Sequence, residues 1–272
     1  MIKVGIVGGA GYTAGELIRL IVNHPSVELD FVYSTSNAGN YIYQVHDDLL
    51  GALELKFTSE VNKNIDVLFL CLGHGNSKKF LENNLFSNNT KIIDLSNDFR
   101  LNADTVFQEK EFIYGLPEFQ KSKIKNAQNI ANPGCFATAI QLGLLPMAAK
   151  GLVNDVYTTG ITGSTGAGQS LSETSHFSWR ANNIQAYKTL SHQHLKEIHQ
   201  SLEQIQITNK ANIHFVPWRG NFTRGIFVSS TLTTDLTLGE LYDLYISFYR
   251  DSAFTIVSRD QISLKQVINT NK

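Results

Sequence analysis

Two cysteines and eight histidines carry most of the covalent and proton-transfer potential of this 272-residue chain. Cys135 lies in "NIANPGCFATAIQLGLLPMAAKG", between a Pro-Gly turn and a helical run. A thiol in the first turn of a helix sees unpaired main-chain N–H groups and the positive end of the helix dipole. That setting favours thiolate and can draw a cysteine pKa from about 8.5 towards neutrality or below. Cys135 is therefore the candidate nucleophile; the alternative is the small buried hydrophobe that free cysteine often is. Cys71, inside the apolar run "IDVLFLCLG", reads as packing. The candidate proton carriers are His192 and His194 of "AYKTLSHQHLKEI", which precede a helix and face one side if their segment is extended. A positioned histidine acid or base is worth roughly 100- to 10,000-fold in rate. A metal site built on His192, His194 and His199 is disfavoured, because no carboxylate or cysteine cluster completes it. His74 in "LGHGNS" follows a strand, where a loop cap and a cofactor contact are both open readings.

A second chemical signal is "GIVGGAGYTAGEL", a glycine turn between a strand and a helix. Gly8, Gly11 and Gly15 leave space for a pyrophosphate at the helix N-terminus, with Tyr12 and Thr13 on the first turn. The spacing is not the strict G-x-G-x-x-G, so the argument rests on the strand–turn–helix context. An NAD site usually places Asp or Glu at the end of the second strand. Here Asp30 lies inside that strand, and the strand ends on Ser34, Thr35 and Ser36, hydroxyls suited to a 2′-phosphate. The expected cofactor is NADP.

The elements that must position these groups form two halves. The first alternates β-branched strand runs ("IKVGIVG", "VELDFVYS", "IDVLFLCLG", "KIIDLS") with helical patterns, a βαβ rhythm that predicts a parallel sheet. From about Gly134 come a helix ended or kinked by Pro146, the strand "VYTTGITG", a polar histidine-bearing helix, two longer strands and a last helix. That half reads as α+β with a mixed or antiparallel sheet. The expected fold class is α/β, with a dinucleotide-binding domain over 1–133 and a catalytic domain over 134–272. With 42% hydrophobic and 17% charged residues and a net charge of −1, the composition offers no global attraction for nucleic acid or an anionic membrane. No run reaches the roughly 20 apolar residues a spanning helix needs, and the N-terminus is too glycine-rich for a secretory core. A cytoplasmic enzyme with a small-molecule substrate is expected.

Several strings occur in a fixed order: "GYTAGELIRL", "DLSNDFRL", "YGLPE", "NPGCFAT", "GSTGAG" and "HQHLKEI". Together they resemble the N-acetyl-γ-glutamyl-phosphate reductase family, related to aspartate-semialdehyde dehydrogenase. The resemblance implies a Rossmann-type NADP domain, NADPH-dependent reduction of an acyl phosphate to an aldehyde through a Cys135 thioester, and a place in arginine biosynthesis. By resemblance His192 is the acid/base and His194 the runner-up, with Tyr187 near the substrate. Ser164, Gly166 and Gly168 of "GSTGAG" correspond to the second glycine loop, beside nicotinamide. Arg100 is the candidate phosphate fork, its planar guanidinium matching phosphate oxygens; Arg219 and Arg224 are candidates for the substrate carboxylate. A homo-oligomer is implied by resemblance alone. Departures are Ala14-Gly15 in inverted order, Gly73 for proline, and Trp218-Arg219 for histidine and leucine. Family members also continue past "VINTNK" into a glycine-rich helix returning to the cofactor domain, expected to lie outside this sequence. The rival readings are an N-acyl-aminoadipyl or aspartyl phosphate as substrate, and a non-catalytic NADP-binding regulator. Acetyl and succinyl acyl groups are not separated.

Overall fold

The computed structural model describes residues 1–270; Asn271 and Lys272, the last two of the expected catalytic domain, lie outside the described residues. The chain forms two compact units, one of residues 1–115 and 122–133, the other of 116–121 and 134–270 among the described residues.

In the first unit the β-branched runs become β1 (Ile2–Val7), β2 (Val27–Tyr33), β3 (Phe57–Thr58), β4 (Val67–Leu70) and β5 (Lys91–Asp94). They are joined by β6 (Val106–Phe107), β7 (Lys110–Tyr114) and β8 (Asn129–Ala131) in the order β3-β2-β1-β4-β5-β8-β7-β6. Every pairing is parallel except β6 with β7. Both sheet faces are covered, as parallel sheets require. Val4 and Ile6 point into a core with Ile18 of α1 (Tyr12–Val22), whereas Val7 points into another with Leu81 of α2 (Asn76–Asn83). The expected parallel sheet is thus present. Residues 117–126 form α3 (Pro117–Asn126), interrupted at Gln120 by non-helical backbone.

The second unit is built on α4 (Cys135–Ala148), β9 (Asp155–Thr162), the short α5 (Phe177–Arg180), β10 (Gln185–Ala186), α6 (Leu195–Ile205), β11 (Asn212–Arg219), β12 (Ile226–Thr231) and α7 (Leu238–Tyr249). Its sheet is mixed, in the order β10-β11-β9-β12, with only β9 and β11 parallel. Along β9, Val156, Thr158, Gly160 and Thr162 face inward and alternate with Tyr157 and Thr159 facing out. The core joins Phe136, Ile140 and Leu144 of α4 to Ile198 and Leu202 of α6 and Phe215 of β11. Phe136 and Phe215 meet edge to face at 4.9 Å, and each fully buried ring contributes roughly 1.5–3 kcal/mol. Pro146 lies in the last turn of α4, which ends two residues later at Ala148. Its missing N–H leaves the Leu142 carbonyl without a helical donor. The Tyr249 hydroxyl of α7 supplies one at 2.5 Å.

Candidate active site

The buried stripe of α4 runs through Phe136, Ala137, Ile140 and Leu144, and that rotation turns Cys135, the first helical residue, outward. Its thiol is exposed. Gly134 precedes it as the cap residue in extended conformation, φ −66° and ψ 150°, with no side chain capping the helix. Cys71 is the opposite case: burial pushes its thiol up to about 12, with the Asp94 carboxylate adding to the shift.

The two histidines are not on an extended segment. The Leu195 N–H donates to the His192 carbonyl at 3.0 Å, and His194 has helical dihedrals as the cap of α6. Their rings therefore meet edge to face, centroids 4.7 Å apart. His192 is packed among Phe136, Phe215 and Tyr187 at centroid distances of 5.6, 5.5 and 5.7 Å. Burial, then His194 and then Lys188, bring its pKa down to about 4 against the opposing pull of Glu197. It is neutral at pH 7. Its Nδ1 accepts the His194 main-chain N–H at 3.3 Å, which puts the ring proton on Nε2.

His194 rests its ring on Gly134. A Cβ at residue 134 would lie 2.4 Å from His194 Nε2, so only glycine fits between that ring and the nucleophile. Glu197, only 3% exposed, accepts the Gly134 N–H through Oε2 at 2.9 Å, and its Oε1 stands 4.0 Å from His194 Nε2. Sequence reasoning missed Glu197 as one more charge on a polar helix. The signal was its place three residues after the cap, where a glutamate usually reaches back to its own helix N-terminus.

Tyr187 borders the same cluster. Burial first, then the charge at Cys135, push its hydroxyl up to about 12, with Arg219 opposing, so it keeps its proton. The Arg219 guanidinium lies over the Tyr187 ring, 4.9 Å from its centroid, and donates to Thr174 Oγ1 at 2.6 Å. Arg224 is exposed on the turn between β11 and β12. "GSTGAG" forms a 3-10 turn, Ser164–Ala167, after β9. The Gly163, Ser164 and Thr165 amides donate to the carbonyls of Gly225, Phe222 and Thr223. That leaves exposed Gly166 and Gly168 at its tip.

In the first unit, Gly8 has φ +82°, and a Cβ there would come 2.5 Å from the Cys71 carbonyl oxygen, so the turn demands glycine. Gly11 caps α1 without a side-chain bond, and Tyr12 and Thr13 are exposed on its first turn. At the end of β2, Asn37 Nδ2 donates to Ser34 Oγ at 3.3 Å and Ser36 Oγ at 3.1 Å. Thr35 and Ser36 are exposed there, whereas Asp30 lies within β2 and accepts from Asn62 at 2.9 Å. These features fit a dinucleotide: an uncapped helix start, a glycine turn, and hydroxyls rather than a carboxylate at the strand end. His74 Nδ1 accepts the Asn97 N–H at 3.1 Å, a tie between loops.

Arg100, the candidate phosphate fork, is tied to the main chain. It is 4% exposed, and its Nε and Nη2 donate to the carbonyls of Asn132 and Leu95 at 2.8 and 2.9 Å. One edge of the fork anticipated for phosphate thus holds two main-chain carbonyls, that of Leu95 just after β5 and that of Asn132, three residues before Cys135. Among the described residues no group of three or more His, Cys, Asp or Glu is arranged to hold a metal ion, and no helix is long and apolar enough to cross a membrane.

Comparison with known proteins decides the family. Residues 3–127 match the model described as semialdehyde dehydrogenase, NAD binding domain, and residues 135–272 match semialdehyde dehydrogenase, dimerisation domain. A protein of Christiangramia forsetii named N-acetyl-gamma-glutamyl-phosphate reductase is 55% identical over all of this chain and 84% of its own length. The one so named from Flavobacterium johnsoniae is 56% identical over the same shares. The chain belongs to the N-acetyl-gamma-glutamyl-phosphate reductase family. It is accordingly an oxidoreductase with a nicotinamide-dinucleotide-binding domain. Aspartate semialdehyde dehydrogenase II of Vibrio cholerae, solved with ASA, superposes with TM-score 0.68 at 14% identity, covering 93% of this chain and 80% of that one. The Candida albicans enzyme, solved with NADP, gives 0.62 at 14% identity, over 92% and 76%. At that distance the likeness shows the fold.

Proposed function

We propose that this chain carries out the NADPH-dependent reduction of N-acetyl-γ-glutamyl phosphate to N-acetylglutamate 5-semialdehyde and phosphate, a step of arginine biosynthesis in the cytoplasm. The observation that carries the reading is an exposed Cys135 at the start of α4, in the same unit as a buried, neutral His192. The Cys135 sulfur attacks the acyl carbon; phosphate leaves with the C–O electron pair and a thioester remains. A covalent thioester divides one hard displacement into two easier steps. Bound NADPH supplies the hydride. As charge builds on the thioester oxygen, the His192 Nε2–H donates a hydrogen bond to it, and the oxyanion then collapses to the aldehyde as the C–S bond breaks and thiolate returns. Because His192 starts neutral, its contribution is a polarised N–H donor rather than a standing imidazolium.

Tyr187, protonated and packed beside Arg219, borders the reacting group. Arg219 and Arg224 are assigned to the substrate carboxylate, and Ser164, Gly166 and Gly168 to the nicotinamide side. A phosphate clamp is not assigned to Arg100, whose Nε and Nη2 serve the main chain. Ser34, Thr35 and Ser36 favour the 2′-phosphate of NADP over NAD. The division of labour is cofactor binding by residues up to 133 and chemistry beyond. The outer face of the mixed sheet, with Tyr157 63% exposed and His214 stacked on it at 4.7 Å, is the surface for a second copy.

The test is the reverse reaction: phosphate-dependent NADP reduction with N-acetylglutamate 5-semialdehyde, for wild type and Cys135→Ser. Wild type turns over, and the serine variant falls at least about 1,000-fold with an unchanged thermal midpoint. Cofactor binding without turnover in either protein would make the chain a regulator and end the reading. The succinyl substrate run alongside establishes the acyl preference.

A further inference from the structure

We propose that Glu197 is a positioning residue for the nucleophile: its carboxylate fixes the Gly134 peptide and thereby the direction of the Cys135 sulfur. The inference rests on the proposed role of Cys135. A carboxylate taken out of water costs several kcal/mol unless it is well paired and hydrogen-bonded. The chain nonetheless buries this one to 3% exposure and aims Oε2 at a main-chain N–H 63 residues earlier, at 2.9 Å. That N–H belongs to the residue immediately before the thiol. A hydrogen bond from a neutral donor to a charged acceptor is among the stronger ones available to a fold.

The contacts around residues 132–134 share one logic. The Asn132 N–H donates to the Asp94 carbonyl at 2.7 Å, and its own carbonyl accepts from Arg100 at 2.8 Å. Gly134 is held through its N–H by Glu197, while the His194 ring bears on its Cα. The peptide ahead of Cys135 is thus gripped at both residues that flank Pro133, although Cys135 itself is exposed. Such a frame is what a nucleophile needs, since a displacement of about 1 Å can cost about 100-fold in rate. Length and an acceptor oxygen set the geometry of this grip; the charge only strengthens it.

Glu197→Gln, Glu197→Asp and Glu197→Ala separate those properties. Glutamine keeps the reach and an acceptor oxygen; aspartate keeps the charge but is one methylene short. The expected order of kcat is wild type, then Gln within tenfold, then Asp and Ala about 100-fold down, all with KM within threefold. Amide hydrogen exchange at Gly134 gives a readout independent of turnover: protected in wild type and Gln, at least tenfold faster in Asp and Ala. Aspartate outperforming glutamine, wild-type kcat in the alanine variant, or an unprotected Gly134 amide in wild type overturns the proposal. Should the alanine variant fail to fold, the Gln–Asp pair still decides. A wild type without turnover would sink the proposed reaction, while the exchange data would still judge the grip on Gly134.

Discussion

The chain turns from strand into helix over an extended glycine in two comparable places, Gly11 ahead of α1 and Gly134 ahead of α4. The backbone is nearly the same: φ −74°, ψ 161° at the first and φ −66°, ψ 150° at the second, neither with a side-chain cap. Their surroundings differ. Near Gly11 the closest atom to a built Cβ is the Gly8 carbonyl oxygen at 3.6 Å, an ordinary contact, whereas at Gly134 the His194 ring intrudes to 2.4 Å. One turn is left open, as a pyrophosphate requires. The other is pressed between a histidine ring and a buried carboxylate and carries a thiol on its next residue. Local backbone geometry is therefore shared, and tertiary contacts decide what each turn can do.

The largest effect expected from breaking this contrast is at His192, whose ring faces the second turn's cluster. His192→Asn lowers kcat by about 100- to 10,000-fold. The wild-type profile carries a further signature, read in steady-state assays across pH. Since burial brings the His192 pKa down to about 4, protonation of this ring places no acid limb near pH 6.5; activity lost through it disappears only towards pH 4. The unfolded histidine takes up a proton below about 6.5, the folded one only near 4. Its burial thus stabilises fully above pH 6.5, and that contribution declines as pH falls towards 4.

An intermediate effect comes from the same substitution made in both turns. Gly134→Ala forces His194 aside and destabilises by about 1–3 kcal/mol, with kcat falling alongside. Gly11→Ala costs under about 1 kcal/mol and leaves kcat at saturating cofactor near wild type. Thermal melts and saturation kinetics on the pair check this; equal destabilisation would abolish the contrast. The smallest effect concerns what the open turn serves. Ser36→Asp puts a carboxylate at the exposed end of β2 and shifts the NADPH-to-NADH ratio of kcat/KM down by about tenfold, or 1.4 kcal/mol.

How far these features were legible in sequence depended on the range of the determining contact. The βαβ rhythm was readable because β1, β2, β4 and β5 are short runs rich in Val, Ile, Leu and Phe, bounded by turns. The β6–β7 hairpin was not, because its two-residue loop uses Gln108 and Glu109 at φ 47° and 65° in place of the usual Asn-Gly signal. Cys135 declared itself through its glycine and the following helix. The Glu197 tie to Gly134 and the Arg100 tie to Asn132 did not, since each depends on a partner distant in sequence. The histidine pair was legible as residues but not as geometry: a turn brought the rings edge to face where an extended segment had been expected.

The six residues 116–121 group with 134–270 and not with the strands on either side of them in sequence. Glu118 there accepts from Thr255 Oγ1 at 2.9 Å, and Lys121 donates to the Asp251 carbonyl at 3.1 Å. The polypeptide accordingly passes from one folding unit to the other at 115/116, 121/122 and 133/134. A ribosome emitting this chain would complete neither unit before the other had begun, and no single proteolytic cut can liberate either one whole.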